Sequence, residues 1–409
     1  MFDALFVPDA VRAELTDDAW LQAMLDAERA LALAEGATGV IPADAARAIG
    51  AACRAELYDG EQIGVEARRV GNPAEPLVRA LRAQVGPVAA PCVHHGATSQ
   101  DIVDTAAMLV SRRVLALALV DLAAIEQACA GLARTYRDTP MVARTLLQQA
   151  LPTTFGLKAA GWLIAVIESR QLLEAARGRF AVQLGGAAGT LASLGDAGLR
   201  VVEGMAAELQ LAVPTLPWHT SRVRLAELGA ALATVAGVLG KIALDVVLLA
   251  QTEVGEVAEA GGEGGGGSST LPHKRNPVGA SLTIACARRV GAAAGLLLGG
   301  HAQEHERAAG AWHAEWEGLE RALAGTAGAA SSLRGVLEGL EVHASRMREN
   351  LDLTRGLIMA ERVQQVLAGR VGAALAGQIV GDAAGRTADG GAPFGDELAA
   401  DPRLPLEPG

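Results

Sequence analysis

The sequence predicts an all-α fold, with a central bundle of long helices, a smaller helical N-terminal domain and a short helical C-terminal segment. Three observations predict it. Apolar residues recur at helical spacing over long stretches, and no run sustains the period-2 alternation of a strand. Aromatic residues are only 3% of the chain while alanine, leucine, glycine and valine dominate, which suits closely packed helices better than packed sheets. Several of the patterns outrun the usual ~10–14 residues of a globular helix, and long helices joined by short connections make a bundle.

In order, residues 20–35 place Leu21, Met24, Leu25, Leu31 and Ala32 on one helical face. Pro42 and Asp44 open a short helix that runs to residue 55. Residues 71–76, GNPAEP, form a turn. A loop over 87–99 leads into a very long helix, 101–136. Four more helices follow at 154–184, 197–211, 222–258 and 277–299, then a last pair at 314–340 and 346–380. From Gly381 the chain is rich in glycine and proline, and its end is expected to lack order. The expected domains are 1–100, 101–345 as the bundle, and 346–409.

A net charge of −11 argues against general nucleic-acid binding, which calls for a basic face, but leaves an anionic substrate open because local charge decides. Cys53, Cys92, Cys129 and Cys286 are scattered without a CxxC, as in reduced thiols of a cytoplasmic protein. No signal-peptide pattern opens the chain. Charges interrupt the most apolar runs, such as Lys241, Asp245, Glu253 and Glu256 within 239–260, so no membrane span is expected.

Four segments carry candidate chemistry. Residues 261–277 read GGEGGGGSSTLPHKRNP. Such glycine density costs backbone entropy and cannot serve stability. The GxGxxG within it follows a helical pattern, not a strand, so the dinucleotide reading fails. The hydroxyls of Ser268 and Ser269, with His273, Lys274 and Asn276 behind them, suit a loop that closes over an anion and moves a proton. Residues 94–101, HHGATSQD, end a loop and open a helix. Thr98 or Ser99 is the natural N-cap and Asp101 sits in the first turn, so this is either a plain helix start or an anion pocket at the positive helix end. Residues 144–152, RTLLQQALP, are weak evidence alone. His301 and His305 stand at i,i+4, but without HExxH a surface ion-pair ladder is the better reading, and no metal is expected.

Together these segments resemble the fumarase/aspartase superfamily, whose members carry three separated signature regions on a long-helix bundle. Residues 267–277 resemble its GSSxMPxKxNP signature, with Leu271 for methionine, and residues 94–101 resemble its HxGxTSxD form. The resemblance implies that Ser268 exchanges the proton α to a carboxylate, with Lys274 beside it. It implies that Lys274 and Asn276 hold a substrate carboxylate and that Thr98, Ser99 and Gln148 bind substrate. His94, Ser269, His273 and Arg307 join them as binding candidates for a polycarboxylate. Residues 217–220 (PWHT), 251–253 (QTE), 305–307 (HER) and 312–316 (WHAEW) resemble the superfamily's cycloisomerase branch, which lactonises carboxymuconate in aromatic-acid catabolism. The resemblance also implies no cofactor and a homotetramer with active sites shared between subunits. Leu146 stands where the lyases carry an acid-base histidine, and Trp316 where the adenylosuccinate branch carries an arginine. A β-elimination lyase on a succinyl-type substrate and a non-enzymatic structural protein on the same scaffold are the alternatives.

Overall fold

The computed structural model describes residues 2–260, 271 and 274–404. Ser268, Ser269 and His273 lie outside them. The fold is all-α, with two small two-stranded sheets among the described residues. The chain divides into two compact units. The first comprises residues 1–125, 165–243 and 279–335, and the second comprises 126–164, 244–278 and 336–409.

In the first unit, helix Asp17–Thr38 starts where Thr16 accepts a hydrogen bond from the Ala19 amide, and it ends at Gly39 with φ of 79°. Leu21, Met24, Leu25 and Leu31 are buried on its inner face, as the spacing predicts. It packs on helix Gly198–Leu209, where a Cβ added to Gly204 would stand 2.9 Å from the Ala34 Cβ. The long helices approach equally closely. A Cβ on Gly240 would meet Ala287 at 2.7 Å, and one on Gly325 would meet Val290 at 2.6 Å. The alanine- and glycine-rich composition therefore has a packing reason: small residues let helix backbones come near enough for dense contact.

Helices Val223–Leu249 and Val278–Gly299 are long and apolar enough to cross a membrane by length and composition. Part of each helix is buried in packing, while Leu244 in the first and Leu296 and Leu298 in the second stay exposed. Leu228, Leu232, Val235 and Leu239 in the first, and Ala280, Val290 and Leu297 in the second, are fully or nearly fully buried. Asp245, within the first helix, accepts a 2.7 Å hydrogen bond from the Trp162 indole.

In the first unit the turn expected at 71–76 runs into helix Ala74–Val85, and the second unit holds further departures from expectation. Residues 140–154 form a hairpin, with Pro140–Thr145 antiparallel to Gln148–Thr154. The helix expected over 222–258 stops at Leu249, and Val257–Ala258 pairs with Glu341–Val342. The helix expected over 346–380 is broken into Ala344–Leu351, Leu357–Met359, Ala360–Val371 and Ala373–Ala388. Gly356 at φ 92° and Gly372 at φ 85° make two of the breaks. The last of these helices continues past Gly381, and a further one, Phe394–Ala399, follows. Phe394 and Leu398 pack with Ile379, Val380 and Ala383 in a small core, so apolar burial orders a stretch whose composition reads as loose.

Candidate active site

In the first unit, helix Ser99–Thr135 begins one residue after Thr98. The Asp101 carboxylate reaches back to the Thr98 amide at 2.9 Å, which is half of a capping box. Asp101 is fully buried and does more than cap. It also accepts from the amides of Gly185 at 3.0 Å and Gly186 at 2.9 Å, and its Oδ1 lies 2.6 Å from the Nε2 of buried His219. Gly185 makes room for that ring, because a Cβ there would stand 2.9 Å from the His219 Cε1. Neither the Thr98 nor the Ser99 hydroxyl is engaged by another protein group among the described residues. Two open hydroxyls at the positive end of a 37-residue helix are suited to an anion.

The preceding loop rests on two buried acids. His94, in the left-handed region at φ 60°, places Nδ1 2.6 Å from Glu28, and His95 Nδ1 lies 3.0 Å from Glu35. Burial works against a charged His94, but Glu28 outweighs it and raises the imidazole pKa. Burial, and Glu28 beside it, push the Glu35 carboxyl from its ordinary 4.5 up to about 8. Glu35 is then chiefly neutral at pH 7, and its contact with His95 is a hydrogen bond more than an ion pair. A carboxyl raised in the folded state stabilises most below its ordinary pKa and loses that contribution as pH climbs toward about 8. Glu35→Gln is therefore expected to flatten the fall in stability between about pH 5 and pH 8, by a few kcal/mol. Urea unfolding midpoints at the two pH values measure it. An unchanged slope would place the titration elsewhere.

Arg307 lies beside the same pocket. Its guanidinium donates to Gln100 Oε1 at 2.9 Å and to the carbonyls of Ala187 at 2.9 Å and Gly186 at 3.3 Å. Through Gln100 it joins a buried charge network. Gln100 donates to Asp104 at 3.1 Å, Asp104 pairs with Arg222 at 2.7 Å, and Arg222 pairs with Glu315 at 2.7 Å. Thr98, Ser99 and Arg307 are thus held on one framework. His94 is fixed at the neighbouring loop by Glu28.

In the second unit, Gln148 is exposed at the start of the hairpin's second strand. Arg144 makes a two-pronged pair with buried Glu256 at 2.9 and 2.7 Å. Asn350 donates to Glu256 at 2.7 Å, and Gln149 donates to the Asn350 carbonyl at 3.2 Å. Lys274 is exposed, and its ammonium has no partner among the described residues. Asn276 is half-buried next to it. Arg275 between them grips Glu341 at 2.9 and 2.7 Å and the Glu259 carbonyl at 2.7 Å. The hairpin and the segment carrying Lys274 and Asn276 are both tied to the residues around the Val257–Ala258 strand.

The hairpin turn is made by Leu146 and Leu147, at φ 50° and 65°, with Leu146 98% exposed. Such turns favour Asn-Gly because side chains crowd the backbone at positive φ. Replacing the pair with Asn-Gly is expected to stabilise the isolated fold by about 1–3 kcal/mol, read from urea midpoints. A loss of stability instead would mean that the leucines are buried in an assembly.

Glu28, Glu35 and Asp104 escaped the sequence reading. The available signal was weak: Glu28 and Glu35 stand a heptad apart, on the same face as Leu21, Met24, Leu25 and Leu31. Asp101 and His219 were visible only as a helix-start acid and as one residue of the PWHT run.

Residues 7–291 match a family described as lyase. The chain is 49% identical to a 3-carboxy-cis,cis-muconate cycloisomerase of Bradyrhizobium diazoefficiens, covering 97% of this chain and 88% of that protein. It is 47% identical to a nitrosuccinate lyase of Streptomyces davaonensis, over 96% of this chain and 85% of that one. The crystal structure of a 3-carboxy-cis,cis-muconate lactonizing enzyme from Pseudomonas putida superposes with a TM-score of 0.93 at 45% identity, covering 98% and 91% of the two chains.

Proposed function

The chain belongs to the lyase family of the fumarase/aspartase superfamily, and from that premise we propose that it is a cycloisomerase lactonising 3-carboxy-cis,cis-muconate. The relatives of that name at about half identity support this reading. The observation that carries it is Leu146, an exposed apolar side chain where a lyase expelling an amine or hydroxide would hold an acid. Amines and hydroxide leave badly without a proton. A carboxylate, with pKa of about 4, is already the nucleophile at neutral pH and also leaves unaided.

In the proposed reaction one substrate carboxylate adds through oxygen to the diene. The new C–O bond pushes electrons toward a second carboxylate and makes an enolate-like dianion. Lys274, Asn276 and backbone amides are the donors assigned to that charge, and charge stabilisation by groups already in place is often the largest catalytic contribution. Ser268 delivers the proton to carbon and completes the lactone. Thr98, Ser99, Arg307, His94 and Gln148, with Ser269 and His273, are assigned to binding the remaining carboxylates. No cofactor takes part in this scheme. The proposal includes a cytoplasmic homotetramer with shared sites. Leu157, Ile164 and Leu172 are exposed along helix Phe155–Arg177, and an assembly would cover them.

A second reading, elimination from a succinyl-type substrate, is favoured by the relative named nitrosuccinate lyase. A weakly basic leaving group needs no acid, so Leu146 argues only against the expulsion of strong bases. The test is a spectrophotometric assay with 3-carboxymuconate, run in parallel with nitrosuccinate and adenylosuccinate. Loss of the diene absorbance with lactone formation supports the cycloisomerase. Fumarate released from either succinyl compound, with the diene untouched, moves the protein to the eliminating lyases.

A further inference from the structure

A cavity of about 840 Å³ opens in the first unit, and none of its lining residues is assigned to the reaction. Helix Ser99–Thr135, the end of helix Phe155–Arg177 and the segment after helix Gly198–Leu209 line it. Three of its lining residues are arginines, Arg112, Arg113 and Arg177, against one acid, Glu174. That is a marked local excess of positive charge in a chain whose net charge is −11.

The commitments of these groups differ. Arg112 donates to the carbonyls of Leu209 at 2.7 Å and Gln210 at 3.0 Å, so it is held in place by a helix end. Arg113 pairs with Asp26 at 2.8 Å. Glu174 is occupied by Arg170 at 2.6 Å. Arg177 has no partner among the described residues. Burial, then the neighbouring Arg113 and Arg177, lower the Arg112 pKa, so the guanidiniums stand close enough to repel.

We propose that this cavity is a second, non-reacting site for a small multivalent oxyanion, carboxylate or phosphate. An anion would relieve the repulsion, and guanidinium forks match the geometry of both oxyanions. Arg112, fixed by its carbonyl bonds, supplies a preset wall, and Arg177 supplies the uncommitted fork. The volume admits an organic polyanion as well as a single phosphate.

The test is calorimetric titration of the full chain with citrate and, separately, with pyrophosphate, on wild type, Arg177→Gln and Lys274→Ala. Arg177 is exposed at a helix end, so its substitution should leave the fold intact, which circular dichroism checks. The expected result is saturable binding at about 1 mM or tighter. It should weaken about tenfold or more in Arg177→Gln, as loss of a charged hydrogen bond implies, and persist in Lys274→Ala. Added salt should weaken it further. The tighter of the two anions names the ligand's chemistry. No saturable binding of either, or binding that survives Arg177→Gln and disappears in Lys274→Ala, overturns the proposal. Neither result touches the assay for lactonisation.

Discussion

Ser268→Ala is expected to lower kcat on 3-carboxymuconate by about 10²–10⁴-fold while leaving KM within a few-fold of wild type. The split follows from the division of labour. Lys274, Asn276 and the helix-end hydroxyls of Thr98 and Ser99 would still hold the carboxylates, so ground-state binding survives. What would disappear is the group assigned to hand a proton to carbon once the C–O bond has formed. A serine hydroxyl is a weak acid and acts only where water is excluded and positive charge surrounds it. The cation assigned to that role is tested by Lys274→Gln, which should raise KM and lower kcat together, because the ammonium would meet the carboxylate in both ground and transition states. Steady-state kinetics on the two variants separate these patterns. A Ser268→Ala enzyme retaining more than about a tenth of wild-type kcat would remove the serine from the proton step.

The helices were legible because their inner faces repeat at helical spacing for many turns, and Leu21, Met24, Leu25 and Leu31 are buried accordingly. The hairpin over 140–154 was not, for a physical reason. Its turn residues are leucines at positive φ, the opposite of what turn preference selects, so no local signal marks it. The premature stop at Leu249 has the same character. Glu256 reads as one more charge on an amphipathic helix, yet it is turned inward by Arg144 and Asn350, about a hundred residues away on either side. In the candidate site, Thr98 and Asp101 were legible because capping is local. Glu28, Glu35 and Asp104 were not, because an acid on a helix is exposed unless a distant partner buries it, and those partners lie 60 to 118 residues away.

Arg222→Met is expected to destabilise the protein by about 3–5 kcal/mol, through the acids it strands more than through the bonds it removes. Arg222 is 1% exposed and serves two carboxylates at once, Asp104 through both terminal nitrogens at 2.7 and 2.9 Å, and Glu315 at 2.7 Å. Burial opposes its charge, but Asp104 and Glu315 outweigh that and hold its pKa above the ordinary value. One cation for two acids leaves the cluster short of positive charge. Accordingly, burial raises the Glu315 pKa even with Arg222 alongside. Without the guanidinium, Asp104 keeps the Trp312 indole at 3.0 Å and Gln100 at 3.1 Å, and Glu315 keeps Gln303 at 3.0 Å. None of these carries a charge. The acids must then take up protons to remain buried. The Glu315 pKa, already raised, rises further, so the deficit of the variant should be greatest at high pH and shrink as pH falls. Glu315→Gln in the same chain should recover a large part of the loss, since it removes one stranded charge and keeps a hydrogen-bonding side chain. Urea unfolding midpoints of the single and double variants at about pH 5 and pH 8 decide the matter. A single variant whose deficit is equal at both pH values would mean that Arg222 acts by packing alone. Because Gln100 ties this cluster to Arg307, the same substitution should also raise KM for a carboxylate substrate, at a site the arginine itself does not touch.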